Sequence, residues 1–312
     1  MNALRRIADL AELPGPLALG IGVFDGVHLG HQAVIDCTLA SARESDGTPV
    51  IVTFDPHPAR VLRPENPPRL LTSTAHKLQL LAAAGVENVL LVEFNREFAS
   101  HSPGDFIRLL ATHSKALKSI CVGEDWAFGR NRSGNVEFLR EQGNELDFHV
   151  IAVPPVKIDG EIVSSTLIRR AVEAGDINLA AQYLGRPYTI LGTVVNGLEL
   201  GRTIGFPTAN LSAHNEQFPP NGVYAIRARV GSDSHEGVAN IGVRPTVKDA
   251  APGRLLEVHL FDFDGDLYGQ DIEVSFQKFL RAEEKFASLE ALRAQIACDS
   301  ATARDYFAAG GK

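Results

Sequence analysis

Apolar runs and helix-like apolar stripes alternate along the first half of the chain. Five apolar runs predict buried strands at residues 17–24, 49–54, 86–94, 117–122 and 148–153. Between them, apolar residues at helical spacing predict helices at residues 31–43, 73–84, 103–113 and 136–142. Apolar strands that alternate with helices are typical of a parallel sheet covered on both faces. The first half of the chain is therefore predicted to be a doubly wound, Rossmann-like α/β domain.

The pattern changes near residue 185, where apolar and polar positions begin to alternate with period two. Strands are predicted at residues 188–195, 223–230, 236–241, 255–263 and 272–276, which indicates an antiparallel barrel or sandwich. The pattern becomes helical again over residues 280–307. The apolar stripe of that helix is predicted to pack on the barrel and consists of Phe286, Leu289, Leu292 and Ile296. We therefore expect two domains, residues 1–184 and residues 185–312.

Composition and charge narrow the class of protein. The 312 residues carry a formal net charge of −8, which argues against nucleic-acid binding through a basic surface. No apolar run is long enough to cross a membrane, and residues 1–15 are interpreted as a short amphipathic helix, not a signal peptide. Cys37, Cys121 and Cys298 form neither a disulfide framework nor a metal knuckle. We expect a cytoplasmic protein with small-molecule partners and without nucleic-acid or membrane partners; homo-oligomerisation is left open.

Candidate chemistry begins where the first predicted strand ends. An Asp25-Gly26 turn pair follows that strand, and His28 and His31 then begin the first predicted helix. The first amides of a helix have no intrahelical partners, and the helix dipole favours an anion there. Histidines three residues apart share one helix face, and Gly30 between them lets a ligand approach the backbone. The motif predicts a phosphate site, against the alternative of two ordinary surface histidines.

A second motif competes for the same stretch. Gly20, Gly22 and Gly26 form G-x-G-x-x-x-G, which is one residue longer than the common dinucleotide fingerprint. A dehydrogenase of this type needs an acidic residue about 20 positions further on, and Asp46 is a candidate. That interpretation leaves the histidine pair unexplained.

Three hydroxyl residues open a later predicted helix. Ser164, Ser165 and Thr166 stand at its start, and Arg169 lies one turn further on. Hydroxyls, helix amides and a guanidinium together suit the phosphates of a nucleotide. The alternative is simple helix capping, with Arg169 in a surface ion pair.

Several reaction classes lack their motifs. The sequence contains no P-loop, no H-E-x-x-H and no G-x-S-x-G nucleophile elbow. Two histidines at a helix start suit direct attack at the α-phosphate of a nucleoside triphosphate. In such a reaction the protein positions groups and stabilises charge, and magnesium bridges the phosphates. The predicted chemistry is nucleotidyl transfer.

The second domain carries an irregular segment of its own. Gly201, Gly205 and Pro207 make residues 201–210 an irregular loop, so the backbone amides of the loop could surround a phosphate chain. The side-chain oxygens of Thr208 and Asn210 are two residues apart and face the same way in an extended segment, which suits Mg²⁺. Spacing alone, however, favours a rigid structural loop.

A glutamate stands within the predicted strand at residues 255–263. Alternation places Glu257 on the same side as His259 and Phe261. Apolar neighbours raise the pKa of a carboxylate, so Glu257 is a candidate base toward a hydroxyl. The residues alone favour the alternative, an acid on the solvated face of an edge strand.

Taken together, the motifs resemble those of the bacterial bifunctional riboflavin kinase/FMN adenylyltransferase (FAD synthetase) family. The resemblance spans nearly the whole chain. In the first domain it includes residues 22–31 (GVFDGVHLGH), 53–58 (TFDPHP), 123–129 with Arg132 and Gly134, and 164–169 (SSTLIR). In the second domain it includes residues 201–210 (GRTIGFPTAN), 221–225, 240–246, 257–268 and 280–286.

The resemblance implies two activities and their residues. The first domain would convert FMN and ATP to FAD and pyrophosphate, and the second, a six-stranded antiparallel barrel with a C-terminal helix, would phosphorylate riboflavin with ATP. Implied roles in the first domain are ATP binding by Gly22, Phe24, Asp25, His28, His31, Ser165, Thr166 and Arg169, with the two histidines at the phosphates. Implied roles in the second are ATP binding by Gly201, Gly205, Pro207, Thr208 and Asn210, Mg²⁺ binding by Thr208 and Asn210, and general-base catalysis by Glu257. Implied flavin-binding residues are Asp125, Trp126 and Arg281, with Trp126 at a position where the family usually has another aromatic residue such as Phe.

Two other classes remain as alternatives. A dehydrogenase would change the absorbance of a nicotinamide cofactor and release no pyrophosphate. A non-catalytic flavin carrier would bind FMN or FAD without turning over ATP. Incubation with riboflavin, ATP and magnesium, followed by chromatography of the flavins, separates all three.

Overall fold

The computed structural model describes residues 1–196, 205–243 and 254–311. The chain forms two compact units. The first comprises residues 1–69 and 74–165, and the second comprises residues 70–73 and 166–312. A functional boundary between residues 184 and 185 remains a prediction.

The first unit is built on a six-stranded parallel sheet. The strands are β1 Asn2–Leu4, β2 Leu17–Ile21, β3 Thr48–Asp55, β4 Asn88–Glu93, β5 Leu117–Gly123 and β6 His149–Val153. Their order in the sheet is β1-β4-β3-β2-β5-β6 and all pairs are parallel, which confirms the prediction of a parallel α/β domain. The helices of the same unit are α1 Leu29–Glu44, α2 Pro58–Leu62, α3 Thr74–Ala83, α4 Arg96–Ala99, α5 Pro103–His113 and α6 Val136–Leu146, and a small hairpin follows, β7 Lys157–Ile158 with β8 Glu161–Ile162.

Both faces of this sheet are covered by apolar layers. Alternate residues of β2, namely Leu17, Leu19 and Ile21, belong to one buried cluster. Ile51 of β3 and Ile35 of α1 belong to the other. A central parallel strand must be apolar on both faces, which explains why β2 is an uninterrupted apolar run in the sequence.

The prediction of a helix over residues 1–15 was wrong. Asn2–Leu4 forms β1, which pairs in parallel with β4, and a short 3₁₀ helix follows at Ile7–Glu12. The side chain of Asp9 accepts hydrogen bonds from the backbone N–H groups of Arg5 and Arg6 and tightens this turn. Pairing with the edge of the sheet, a tertiary interaction, overrides the local helical pattern.

The second unit contains a closed antiparallel barrel of six strands. The strands are β9 Thr189–Val195, β10 Ala209–Ala213, β11 Gly222–Val230, β12 Asp233–Val243, β13 Arg254–Leu260 and β14 Asp271–Arg281; helices α7 Ser165–Ala174 and α8 Ile177–Leu184 precede the barrel and α9 Leu289–Ala308 follows it. The strand order around the barrel is β10-β13-β12-β11-β14-β9, which confirms the predicted barrel. Strand β10 was not among the predicted strands, because it is short and directly follows the irregular segment.

The last helix packs on the barrel through its C-terminal half, beyond the residues of the predicted stripe. Leu289 is 53% exposed, whereas Asp299, Ala303 and Phe307 are buried. Ala303 and Phe307 form an apolar cluster with residues of β11 and β12. The predicted stripe was therefore wrong at Leu289. No helix among the described residues is long and apolar enough to span a bilayer.

One core glycine provides a test of helix–sheet packing. A Cβ at Gly20 of β2 would lie 2.3 Å from Thr38 Oγ1 of α1 and 2.7 Å from Ile51 Cδ1. We expect Gly20→Ala to destabilise the first unit by about 1–3 kcal/mol, because overpacking forces α1 away from the sheet. The midpoint of denaturant unfolding measures this effect. Gly123→Ala is the matched control, since a Cβ there meets no atom within 4 Å; equal midpoints for the two variants would contradict the packing argument.

Candidate active sites

The sheet of the first unit has a topological switch point beside β2. From β2 the chain runs to β3 on one side and later returns to β5 on the other. Ligands of open α/β sheets bind at the carboxyl ends of the strands at such a point. The turn from β2 into α1, which carries the histidine pair, lies at this edge.

The two histidines form a stacked pair at the start of α1. His28 is the N-cap, and its Nδ1 accepts a hydrogen bond from the backbone N–H of His31 at 3.3 Å. The ring centroids are 3.6 Å apart with an interplanar angle of 20°. Because Nδ1 accepts, the neutral His28 ring carries its proton on Nε2, the tautomer that donates to a phosphate oxygen. A Cβ at Gly30 would lie 3.2 Å from His28 Cε1, so the glycine also makes room for this ring.

The turn at residues 24–27, directly before α1, packs against the histidine pair. Phe24, Gly26 and Val27 all have positive φ angles, of 54°, 85° and 42°. Phe24 is fully buried, with its ring centroid 5.2 Å from that of His31. A Cβ at Gly22 would lie 3.1 Å from the Phe24 ring, so glycine allows the ring to occupy this position. Gly22 and Phe24 thus shape the turn through packing.

One predicted hydroxyl meets this turn directly. Ser165 Oγ donates a hydrogen bond to the backbone carbonyl of Asp25 at 2.9 Å, which joins the start of α7 to the histidine turn. The Asp25 side chain is only 4% exposed. Thr166 and Arg169 continue α7 but belong to the second unit, and their place in an ATP site remains a prediction.

The acidic residue required for a dinucleotide site lies at the wrong end of the sheet. Asp46 precedes β3, so it lies at the amino end of that strand. The histidine turn lies at the carboxyl ends of the strands. The structure therefore does not support the pairing of Gly20, Gly22 and Gly26 with Asp46.

An aromatic surface follows β5 at the same edge of the sheet. The Trp126 ring stacks on Phe128 with centroids 4.1 Å apart and an interplanar angle of 12°. Phe128 is buried in the core, Trp126 is half-buried, and Asp125 is exposed. A flat, half-buried indole with a rigid ring behind it offers a stacking surface for an aromatic ligand.

Polar residues of three neighbouring strands meet on the outer face of the barrel. Glu257 of β13 pairs directly with Asn210 of β10 and with Asn240 of β12. Directly paired residues of an antiparallel ladder project from the same face. Their neighbours Leu256 and Leu211, also paired, are buried on the inner face. Because the barrel is closed, β13 is not an edge strand, so the edge-strand part of the alternative for Glu257 was wrong.

The segment before β10 borders a cavity at one end of the barrel. The cavity has a volume of ≈ 520 Å³, and its lining includes Pro207, Thr208 and the connection at residues 263–268. This volume is within the usual range for a small-molecule site. His259 Nδ1 lies 2.8 Å from the Pro207 carbonyl oxygen and anchors the segment to β13. The sequence analysis gave His259 no role. The pattern that could have identified His259 is its position two residues after Glu257, on the same side of the strand.

Other predicted residues of the second unit lie as follows. Gly205 has a φ of 85° and is exposed, whereas Asn210 is only 8% exposed. Gly201 lies outside the described residues.

Arg281 at the end of β14 forms an ion pair with Asp299 of α9 at 2.8 Å, and that carboxylate raises the pKa of the guanidinium. Asp299 was missed, because a single acid in a helical pattern gives no sign of a buried partner.

Comparison with known protein families matches both units. The FAD synthetase model matches residues 11–167, and the riboflavin kinase model matches residues 184–307. Curated relatives described as bifunctional riboflavin kinase/FMN adenylyltransferase include that of Escherichia coli K12, which is 40% identical over 98% of each chain. The Pseudomonas fluorescens relative is 41% identical over 97% of each chain.

A solved structure shares the architecture over nearly the whole length. It is described as a macrolide-efflux protein from Streptococcus pneumoniae, is 30% identical, and superimposes with a TM-score of 0.83 over 97% of this chain and 99% of that one. That description names a different activity from the one named by the two family models and the curated relatives.

Proposed function

Because the chain belongs to the bifunctional riboflavin kinase/FMN adenylyltransferase family, and so phosphorylates riboflavin to FMN and adenylylates FMN to FAD, we propose that His28 and His31 serve the second step and Glu257 the first. ATP is the co-substrate of both steps. The alternatives of a dehydrogenase and of a non-catalytic carrier are set aside by this family membership.

The stacked histidine pair at the switch point supports its proposed role. An oxygen of the FMN phosphate attacks the α-phosphorus of ATP, and pyrophosphate leaves. Charge accumulates on the phosphate oxygens during this displacement, so positioned donors stabilise the transition state. His28 Nε2–H and the first amides of α1 are such donors. Gly22, Phe24 and Asp25 shape the turn, and Ser165, Thr166 and Arg169 complete the proposed ATP site. Trp126 and Asp125 are proposed to bind the flavin.

The direct pairing of Glu257 with Asn210 supports the proposed kinase site. Glu257 takes the proton of the ribityl hydroxyl as that oxygen attacks the γ-phosphorus of ATP, and ADP leaves. The donor set of Thr208 and Asn210, a hydroxyl and an amide oxygen, fits a magnesium ion that keeps its other positions for water and phosphate. Magnesium would neutralise phosphate charge there. Gly201, Gly205 and Pro207 are proposed to hold the ATP phosphates, and Arg281 is proposed to hold one side of the flavin site.

Two further proposals concern setting and organisation. We propose that both reactions take place in the cytoplasm, which is consistent with the three cysteines, none of which forms a disulfide. We propose that residues 1–184 carry the adenylyl transfer and residues 185–312 the kinase reaction.

Asn210 provides a test of the proposed metal site. We expect Asn210→Ala to lower kcat/KM for magnesium-ATP in riboflavin phosphorylation about 10- to 100-fold, because even groups that only support a metal ligand have effects of this size. Excess magnesium should restore part of the rate, and FAD formation from supplied FMN should be unchanged. Steady-state assays at several magnesium concentrations measure both rates. Ser212→Ala is the matched control, two residues further along β10 and exposed; an unchanged magnesium dependence in Asn210→Ala would exclude Asn210 as a ligand.

A further inference from the structure

A lysine is buried beneath the histidine turn, and neither proposed reaction step uses it. Lys77 lies in the first turn of α3 and is only 6% exposed. Its ammonium donates hydrogen bonds to the Val23 carbonyl at 3.3 Å, to Thr53 Oγ1 at 3.1 Å and to the Phe54 carbonyl at 3.1 Å. An ammonium group has three protons, so these contacts use all of them. Burying an ammonium is costly unless it is fully hydrogen-bonded and its charge is balanced.

Two of the acceptors, Thr53 and Phe54, lie near the end of β3, and the third, Val23, lies two residues after the end of the neighbouring strand β2. The parallel ladder between β2 and β3 pairs residues up to Ile21 and Val52. Beyond this ladder the two segments diverge: the one after β2 leads to His28, and the one after β3 leads to α2. Thr53 Oγ1 also donates to the Val23 carbonyl at 3.0 Å, so that carbonyl accepts from both Thr53 and Lys77. Lys77 therefore holds the strand ends together after the ladder has stopped.

The turn that Lys77 holds is strained. Val23 directly precedes Phe24, the first of the residues with positive φ, and Val27 at the other end of the turn is β-branched. A non-glycine residue in this conformation is strained and persists only where its surroundings hold it. His28 is the residue after Val27, so any relaxation of the turn would displace the N-cap histidine.

Lys77 also interacts with two carboxylates at the same sheet edge. Burial lowers the pKa of Lys77 to about 8, while Asp25 and Asp55 oppose this shift. Asp55 is held in turn by Thr74 Oγ1 of α3, which donates to its Oδ1 at 2.7 Å. Two acids at an edge that receives a triphosphate would repel the substrate, and the buried ammonium offsets part of their charge.

We propose that Lys77 is a positioning residue of adenylyl transfer: through Val23, Thr53 and Phe54 it fixes the turn that carries His28, and its charge balances Asp25 and Asp55 beside the ATP phosphates. The proposal rests on the ATP site proposed above at His28 and His31. Lys77 therefore makes two contributions that can be tested separately, one to the geometry of the histidine turn and one to the charge balance beside Asp25 and Asp55.

Two substitutions separate the contributions. Lys77→Met removes both, so kcat for FAD formation should fall about 10²-fold, the loss expected from a misplacement of about 1 Å, and KM for ATP should rise. Thr53→Val removes the bridging hydroxyl and keeps the charge, so kcat should fall about tenfold with KM for ATP unchanged. The riboflavin kinase rate of the same full-length chain, together with a cooperative unfolding transition, reports on folding. Lys118→Met, an exposed lysine of β5, is the matched control and should retain both activities.

A pH profile adds a readout that simple structural support would not change. Above pH about 8 the Lys77 amine becomes neutral, loses one donor and no longer balances Asp25 and Asp55. The kcat/KM for ATP in FAD formation should therefore fall on the alkaline side in the wild type and in Lys118→Met. This fall should be absent from the residual activity of Lys77→Met.

Three results decide the proposal. A folded Lys77→Met protein with wild-type kcat/KM for ATP in FAD formation would overturn it. If Lys77→Met fails to fold, Thr53→Val decides, and a wild-type FAD rate in that variant overturns the proposal. The His28 and His31 substitutions test the site itself; a loss of FAD formation there with normal Lys77 and Thr53 variants would reject only the role of Lys77.

Discussion

Replacing His28 and His31 together by alanine is expected to reduce FAD formation from FMN about 10³-fold while riboflavin phosphorylation continues. Loss of one positioned donor to a developing charge costs about 10²–10³ in kcat, and donors that act as a unit are not additive. The His28 ring also caps α1, so its removal loosens the helix start that is proposed to receive the phosphates. Chromatography of the flavins formed from riboflavin, ATP and magnesium should show FMN accumulating without FAD.

The control for this experiment is a histidine at the opposite end of the sheet. His149 is exposed at the amino end of β6, and His149→Ala should leave both rates unchanged. Wild-type FAD formation in the double variant would remove the histidines from the mechanism. Simultaneous loss of the kinase activity would instead show that the two sites depend on one another.

Replacing Glu257 by glutamine is expected to reduce riboflavin phosphorylation about 10²–10⁴-fold, the usual contribution of a general base. Glutamine keeps the shape and a hydrogen-bonding oxygen next to Asn210 but cannot take a proton from the ribityl hydroxyl. Conversion of supplied FMN to FAD should proceed at the wild-type rate. Initial rates of the two half-reactions, measured separately, test this expectation.

A second glutamate of the barrel serves as the matched control. Glu236 of β12 forms a partly exposed ion pair with Arg227 at 3.2 Å, and ion pairs open to solvent contribute little to stability. Glu236→Gln should therefore retain the kinase rate. An unchanged kinase rate in Glu257→Gln would exclude Glu257 as the base.

The parts of the two candidate sites that could be predicted are those that are local in sequence. His28 and His31 were found because a strand end, a turn and a helix start follow one another within 15 residues. Thr208 and Asn210 were found because their spacing places both on one side of an extended segment. Each of these patterns has a physical meaning without knowledge of the fold.

The contacts that complete the sites connect distant parts of the chain. Ser165 bonds to the carbonyl of Asp25, 140 positions away. Arg281 pairs with Asp299, which converts an ordinary helical acid into a buried ion pair. Lys77 occupies a normal polar position in an amphipathic helix, and no local pattern marks it as buried. Only folding shows which polar residue lies inside.

By itself, the sequence determined the two-part organisation, the parallel sheet, the barrel and the histidine turn, because apolar periodicity and turn residues act over short distances. The tertiary structure alone decided that residues 2–4 form a strand, that α9 packs through Asp299, Ala303 and Phe307, and that Glu257 faces Asn210 within a closed barrel. Those outcomes depend on which surfaces meet. The free energy of burial and pairing across the fold then outweighs the weaker local preferences of the chain.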